Sequence, residues 1–160
     1  PERERETEVG CLCFLCVLFS WVAVVRHKAD ASVDGGAVVN GGYGNVASAQ
    51  MSTVNGGYNG EASGYYSAVN GGFYNDASGY YSAANGGSGN DASGTYSAVN
   101  GGGGNEASGS YSAANAGYNS DAIGAYSAMN GGYDNEAGGD YSTVNGSYYQ
   151  YASSSYSYEP

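Results

Sequence analysis

The side chains able to do acid–base, nucleophilic or metal chemistry are segregated along this chain. Every cation (Arg3, Arg5, Arg26, Lys28), the single His27, all three thiols (Cys11, Cys13, Cys16) and the one indole (Trp21) fall within the first 28 residues. From Ser32 to Pro160 there is no Lys, Arg, His, Cys, Trp or Leu. That stretch keeps ten carboxylates: Asp34, Glu61, Asp76, Asp91, Glu106, Asp121, Asp134, Glu136, Asp140 and Glu159. General acid–base and nucleophilic catalysis draw on His, Cys, Lys or a positioned carboxylate pair, so an enzyme is not expected, nor a cofactor. Neutralising phosphates takes Lys or Arg, which excludes nucleic-acid binding by the main body. The thiols have i, i+2, i+5 spacing inside an apolar run, which matches no zinc pattern. The chemistry left to the body is that of phenols, amides, hydroxyls and carboxylates.

These groups recur in phase. Asn stands at 40, 55, 70, 85, 100, 115, 130 and 145, always fifteen apart. On the same period fall Tyr66, Tyr81, Tyr96, Tyr111, Tyr126, Tyr141 and Tyr156, with Met51 in the same slot. Ser recurs from Ser52 to Ser157 and Ala from Ala47 to Ala152 on the same period, and the acids Glu61, Asp76, Asp91, Glu106, Asp121 and Glu136 form another column. The unit reads A-S-G-x-Y-S-A-V-N-G-G-x-x-N-D/E, with Ser32 to Val46 a degenerate first copy that carries Gly36 in the Tyr slot. A disordered chain has no physical need for phase, whereas a solenoid must place the same side chain above its neighbour in every coil.

The elements that would position these columns follow from local pattern. Gly is too frequent for helices, and no 3.6-residue apolar period is present. In Tyr66-Ser67-Ala68-Val69-Asn70 the residues alternate. The expectation is a short strand with Ser67 and Val69 inward and Tyr66, Ala68 and Asn70 outward. Asn-Gly-Gly turns the chain, because Asn and Gly tolerate positive φ. A second strand runs through Asn75-Asp76-Ala77-Ser78, with Ala inward and the acid outward, and Gly79 makes the second corner. About eight such coils, stacked at ~4.8 Å, would give a rod of about 38 Å. The fold expected for residues 32–160 is therefore an all-β parallel solenoid. It carries an outward Tyr ladder (Tyr66, Tyr81, Tyr96, Tyr111, Tyr126, Tyr141) as a binding surface. A structural Asn ladder (Asn55, Asn70, Asn85, Asn100, Asn115, Asn130, Asn145) accompanies it. The second aromatic column (Tyr43, Tyr58, Phe73, then Ser88 and Gly103, then Tyr118, Tyr133, Tyr148) is interrupted, so it is not expected to form a continuous core.

Residues 1–31 read differently. Cys11 to Val25 is apolar but for Ser20. Its fifteen residues would rise only about 22 Å as a helix, short of the ~30 Å hydrocarbon core. Ala29-Asp30-Ala31 follows with the small-x-small spacing of a cleavage site. An apolar helix serving as a signal peptide or a short signal anchor is expected here. It is the only part expected to meet a membrane, and the body would be secreted or at the cell surface.

The repeat resembles the head repeats of YadA-like trimeric autotransporter adhesins, whose pattern A-x-G-x-x-S-x-V-x-G-G-x-x-N is met by Ala62, Gly64, Ser67, Val69, Gly71, Gly72 and Asn75. The resemblance implies a left-handed parallel β-roll, three chains packed as a homotrimer, and adhesion to surface or matrix molecules. Two other functions compete. An ice-binding solenoid would array regular outward columns, although Thr53, Thr95 and Thr143 are too few and too scattered for ranks of Thr. A Gly/Tyr-rich disordered or cell-wall structural segment would share the composition without needing the phase. Gly86-Gly87-Ser88-Gly89-Asn90-Asp91 resembles the calcium turn of RTX β-rolls. Those repeat every nine residues rather than fifteen, so loose counterion binding, and no dedicated metal site, is expected. Asn145-Gly146-Ser147 forms a glycosylation sequon.

Overall fold

The computed structural model describes residues 36–160, so the apolar segment and its expected helix lie outside the described residues. The described residues form a parallel β-solenoid of about eight coils. Its largest sheet has nine strands: Val38–Asn40, Thr53–Asn55, Ala68–Asn70, Ala83–Asn85, Ala98–Asn100, Ala113–Asn115, Ala128–Asn130, Thr143–Asn145 and Tyr158–Glu159. Each pairs in parallel with the next rung at an offset of fifteen, as in Ala68↔Ala83, Val69↔Ala84 and Asn70↔Asn85. The second strand of the coil builds two three-stranded sheets, Val46–Ala47 to Asp76–Ala77 and Glu106–Ala107 to Glu136–Ala137. Bridges from Asp76 to Asp91 and from Asp91 to Glu106 join them into one ladder. No helix among the described residues is long and apolar enough to cross a membrane.

The alternation expected in the first strand is present. Val54, Val69, Val99, Met129 and Val144 are wholly buried, with Ala84 and Ala114 filling the same column. Ala62, Ala77, Ala92, Ala107, Ala122 and Ala137 meet them from the second strand. The core is a narrow seam of Val and Ala between facing strands of one coil, continued from coil to coil. Small side chains are required because two backbone layers approach closely across it.

The structure departs from the two-strand expectation in three places. A third parallel ladder, one residue wide, runs through the interrupted aromatic column from Tyr43 through Phe73, Ser88 and Gly103 to Tyr148. It persists through the interruption because its backbone bonds do not depend on the side chain. For instance, Ser88 N–H donates to Gly102 O and Gly103 N–H to Gly117 O. The first turn uses positive φ at its two glycines (Gly71 at 72°, Gly72 at 86°), while the Asn before them stays in the strand. At the second corner the left-handed residue is the tyrosine, with φ of 58° at Tyr66 and 56° at Tyr81. The glycine two residues earlier serves another purpose: a Cβ on Gly79 would overlap the carbonyl oxygen of Gly94 in the next coil.

Candidate functional site

Three outward columns run along the nine-stranded sheet and the corner that leads into it: at the third rung they are Tyr66 at the corner, and Ala68 and Asn70 in the strand. The tyrosine column is continuous. Rings of Tyr66, Tyr81, Tyr96, Tyr111, Tyr126, Tyr141 and Tyr156 stack with centroids 4.8–5.0 Å apart and planes within 10° of one another. Exposure runs from 39% at Tyr66 to 77% at Tyr156, so the column is a ridge at the surface and not part of the core. Flanking Tyr65 and Tyr80 stand edge-on to it, each 4.6 Å from its neighbour in sequence. Crowding of these rings desolvates the Tyr81 phenol and, with Tyr80 and Tyr66 beside it, raises its pKa above the ordinary tyrosine value.

Every tyrosine of the ridge sits in the left-handed region, at φ between 56° and 62°. For a bulky residue that conformation is an outlier, costing roughly 1–2 kcal/mol. It is held by the neighbouring coil. Tyr81 N–H donates to Tyr65 O at 2.9 Å, Tyr96 N–H to Tyr80 O at 2.8 Å and Tyr111 N–H to Thr95 O at 2.8 Å. Gly36 fills the same slot of the first described coil with φ of 80°, showing that glycine fits the corner. Stacked aromatic pairs return about 0.5–1.5 kcal/mol each. That is of the same order as the strain and no more.

The Asn column is a continuous amide ladder. Asn40 Nδ2 donates to Asn55 Oδ1, and the pattern repeats through Asn70, Asn85, Asn100, Asn115 and Asn130 to Asn145 at 2.6–2.9 Å. Each coil is thereby clipped to the next at an exposed edge. Between the two ridges lies a column of small side chains, Ala68, Ala83, Ala98, Ala113 and Ala128, bounded by Thr53 and Thr143. The sheet thus presents a ridge of phenols, a furrow of methyl groups and a ridge of amides.

A second amide column escaped the sequence reading as a structural device, although its phase was visible as the Asn before Asp76, Asp91, Glu106 and Glu136. Asn45, Asn75, Asn90, Asn105 and Asn135 are buried. Asn75 Nδ2 donates to Gly71 O and to Gly86 O, both at 3.0 Å, while its Oδ1 accepts from Asn90 N–H at 3.1 Å. One side chain therefore closes the glycine turn of its own coil and ties it to the turn above.

The acids line the opposite ladder. Cα pairing sets Glu61 beside Asp76, and Asp121 between Glu106 and Glu136. They are only partly outward: Glu61 is exposed, but Asp76, Asp91, Glu106, Asp121 and Glu136 are half-buried. Desolvation, then Asp91 and Glu61, push the Asp76 carboxyl up to about 6. Asp91 and Asp121 are raised as well, by desolvation first and Glu106 second. Glu106, Asp121, Asp134 and Glu136 edge a surface depression of about 360 Å³. Among the described residues no group of three or more His, Cys, Asp or Glu is arranged to hold a metal ion. In the calcium-like turn, Asn90 spends its amide on backbone carbonyls of Gly86, Gly101 and Gly102.

No protein-family model matches the chain, and no curated protein matches it.

Proposed function

We propose that this protein is a non-enzymatic adhesive or structural rod, acting outside the cell or at its surface, whose contact surface is the Tyr–Ala–Asn face. The observation that carries the reading is the retained strain of the tyrosine column. Seven bulky residues in succession occupy a corner where glycine costs less, and their rings lie exposed instead of packing the core. Strain kept at a surface, where the fold does not need the side chain, points to use of that surface. Exposed aromatic ridges are also what contact surfaces are enriched in.

The likeness to YadA-like head repeats supports the same reading at the level of the coil. Each of the seven pattern positions has a structural task here. Ala62 and Val69 are core, Ser67 is buried, Gly64 admits the next coil, Gly71 and Gly72 turn the chain, and Asn75 clamps that turn. Left-handed winding, a three-chain assembly and adhesion to matrix or host molecules belong to this proposal. Ice binding is the second reading, favoured by outward columns repeating at ~4.8 Å along a nine-stranded sheet. Absence of thermal hysteresis at millimolar protein would remove it.

The adhesive reading is tested by replacing Tyr66, Tyr81, Tyr96, Tyr111, Tyr126 and Tyr141 with Gly, which suits the corner's φ. Retention of labelled protein on immobilised extracellular matrix and on bare polymer surfaces is then compared. The parent protein should be retained and the variant washed away, both keeping a β-rich circular dichroism spectrum. Equal retention would refute the assignment of this face.

A further inference from the structure

We propose that the Tyr66–Tyr156 column is a site of oxidative cross-linking, at which tyrosines of two copies of this chain are joined ortho carbon to ortho carbon. Four observations lead there. The first is which oxidisable groups exist. Ser32 to Pro160 contains no Cys, Trp or His, and its two thioethers are Met51, at the head of the column, and Met129, wholly buried. A one-electron oxidant reaching the solenoid therefore meets phenols. The second is continuity. Seven exposed rings in contact at 4.8–5.0 Å let an electron vacancy pass along the ridge. The other column is cut by Phe73, Ser88 and Gly103.

The third observation decides between coupling within a chain and between chains. A carbon–carbon bond between phenols sets the two rings side by side, edge to edge. Neighbours in the column lie face to face, their backbones fixed by bonds such as Tyr81 N–H to Tyr65 O and Tyr126 N–H to Ser110 O. They cannot join without a ring leaving the stack, and flanking Tyr65 and Tyr80 stand nearly perpendicular to it at 81° and 82° rather than side by side, so coupling is left to a second copy. The fourth is charge. The described residues hold nine acids and no Lys, Arg or His, so copies repel over most of their surface. The Tyr, Ala and Asn columns carry no charge from Met51 to Asn145, with Asp140 flanking one end. This face lets two copies approach with least repulsion, and it brings the phenols together.

The chemistry balances with a named oxidant, hydrogen peroxide acting through a haem peroxidase. Each of two phenols gives up one electron and its hydroxyl proton, and the protons pass to water. The two phenoxyl radicals form a carbon–carbon bond at ring carbons ortho to oxygen. Each joined carbon then loses its hydrogen as the ring regains aromaticity and the hydroxyl is restored. Two electrons and two protons leave in all, and they reduce one peroxide to two waters. The inference rests on ring geometry and charge, not on the adhesive reading; a chain that cross-links without adhering, or the reverse, separates the two.

The test treats an equal mixture of isotope-labelled and unlabelled full-length protein with a haem peroxidase and hydrogen peroxide. Cross-links are then mapped by peptide mass spectrometry. The expected result is blue dityrosine fluorescence, multimers that survive denaturing electrophoresis, and mixed-isotope peptides joining tyrosines of the column. A variant with the seven column tyrosines changed to Phe should lose the multimers. Phe keeps a place in such stacks, as Phe73 does on Tyr58 at 4.8 Å. A second variant, with Tyr43, Tyr58, Tyr118, Tyr133 and Tyr148 changed to Phe, should keep them, and it guards against a column variant that misfolds. Cross-links confined to single chains, multimers undiminished in the column variant, or multimers lost in the second variant would each overturn the proposal.

Discussion

Asp76 is the residue at which the fold most opposes itself. Its backbone pairs with Glu61 on one side and bridges to Asp91 on the other, so three carboxylates stand in adjacent rungs. One of its carboxylate oxygens, Oδ1, is buried without a hydrogen-bond partner, and the same holds for Asp91. The charged form is thus penalised by desolvation and by both neighbours, which is why the carboxyl titrates at about 6. An unfolded Asp titrates near 3.9. The folded chain then binds more protons than the unfolded chain between about 4 and about 6. The penalty is in full force above the upper value and disappears below the lower one. Stability should therefore rise as pH falls through this window, the reverse of a salt-bridged aspartate, and Asp91 and Asp121 act in the same direction. Thermal unfolding followed by circular dichroism at stepped pH should show the midpoint climbing on mild acidification. Asp76→Asn should raise the neutral-pH stability by about 1 kcal/mol, allowing for solvent screening of a half-exposed group, and flatten the pH response. A midpoint that drops over the same window would contradict this account.

At the scale of the coil, glycines do two different jobs that share one letter in the sequence. Gly94 has ordinary backbone angles but no room, since a Cβ would overlap the carbonyl oxygen of Gly109. Gly101 has open space around it but φ of 75°, and Ala116 already stands in its slot of the next coil at φ of 57°. Gly94→Ala should cost about 3 kcal/mol, because the backbone of two coils must part. Gly101→Ala should cost only about 1 kcal/mol, the penalty of a left-handed alanine. Urea unfolding of the two variants measures the difference, and equal losses would mean that the corner does not bring the coils together as described. This distinction marks the limit of what was legible. Alternation of Ser67, Val69 and Ala77 against Tyr66 and Asn70 disclosed the strands, the core column and the outward ladders, because burial writes a period-two pattern directly into residue type. Left-handed tyrosines could not be read, since propensity argues against a bulky residue at positive φ and only the bonds from the adjoining coil hold it there. Asn75 was visible as a recurring letter, but its task depends on Gly86 one coil away. The half-burial of the acids was hidden for a similar reason, as it depends on how closely neighbouring rungs flank each carboxylate.

For the molecule as a whole, every strand pairs only with the rung before and the rung after. Stability should then be a sum over coils and their interfaces, with no long-range closure to satisfy. Length becomes adjustable in steps of one repeat and in no other step. Excising residues 78–92 joins Ala77 to Ser93 and brings each column back into phase: Tyr66 meets Tyr96, Val69 meets Val99, Asn70 meets Asn100 and Asn75 meets Asn105. The shortened chain loses Asp91, but Glu106 takes its place beside Asp76, so the acid column keeps a like-charge neighbour there. It should fold to the same β-rich spectrum, with a rod shorter by about 4.8 Å in solution scattering. Deleting Gly79 alone removes far less of the chain but should do far more damage. One residue of slip at the corner turns Ala84 outward and Ala83 and Asn85 inward, because successive side chains in a strand face opposite ways. To escape that, the corner itself must be rebuilt without the glycine that lets Gly94 of the next coil approach. The fifteen-residue excision should therefore unfold cooperatively near the parent midpoint, and the one-residue deletion well below it. The reverse order would show that phase between coils is not what holds this rod together.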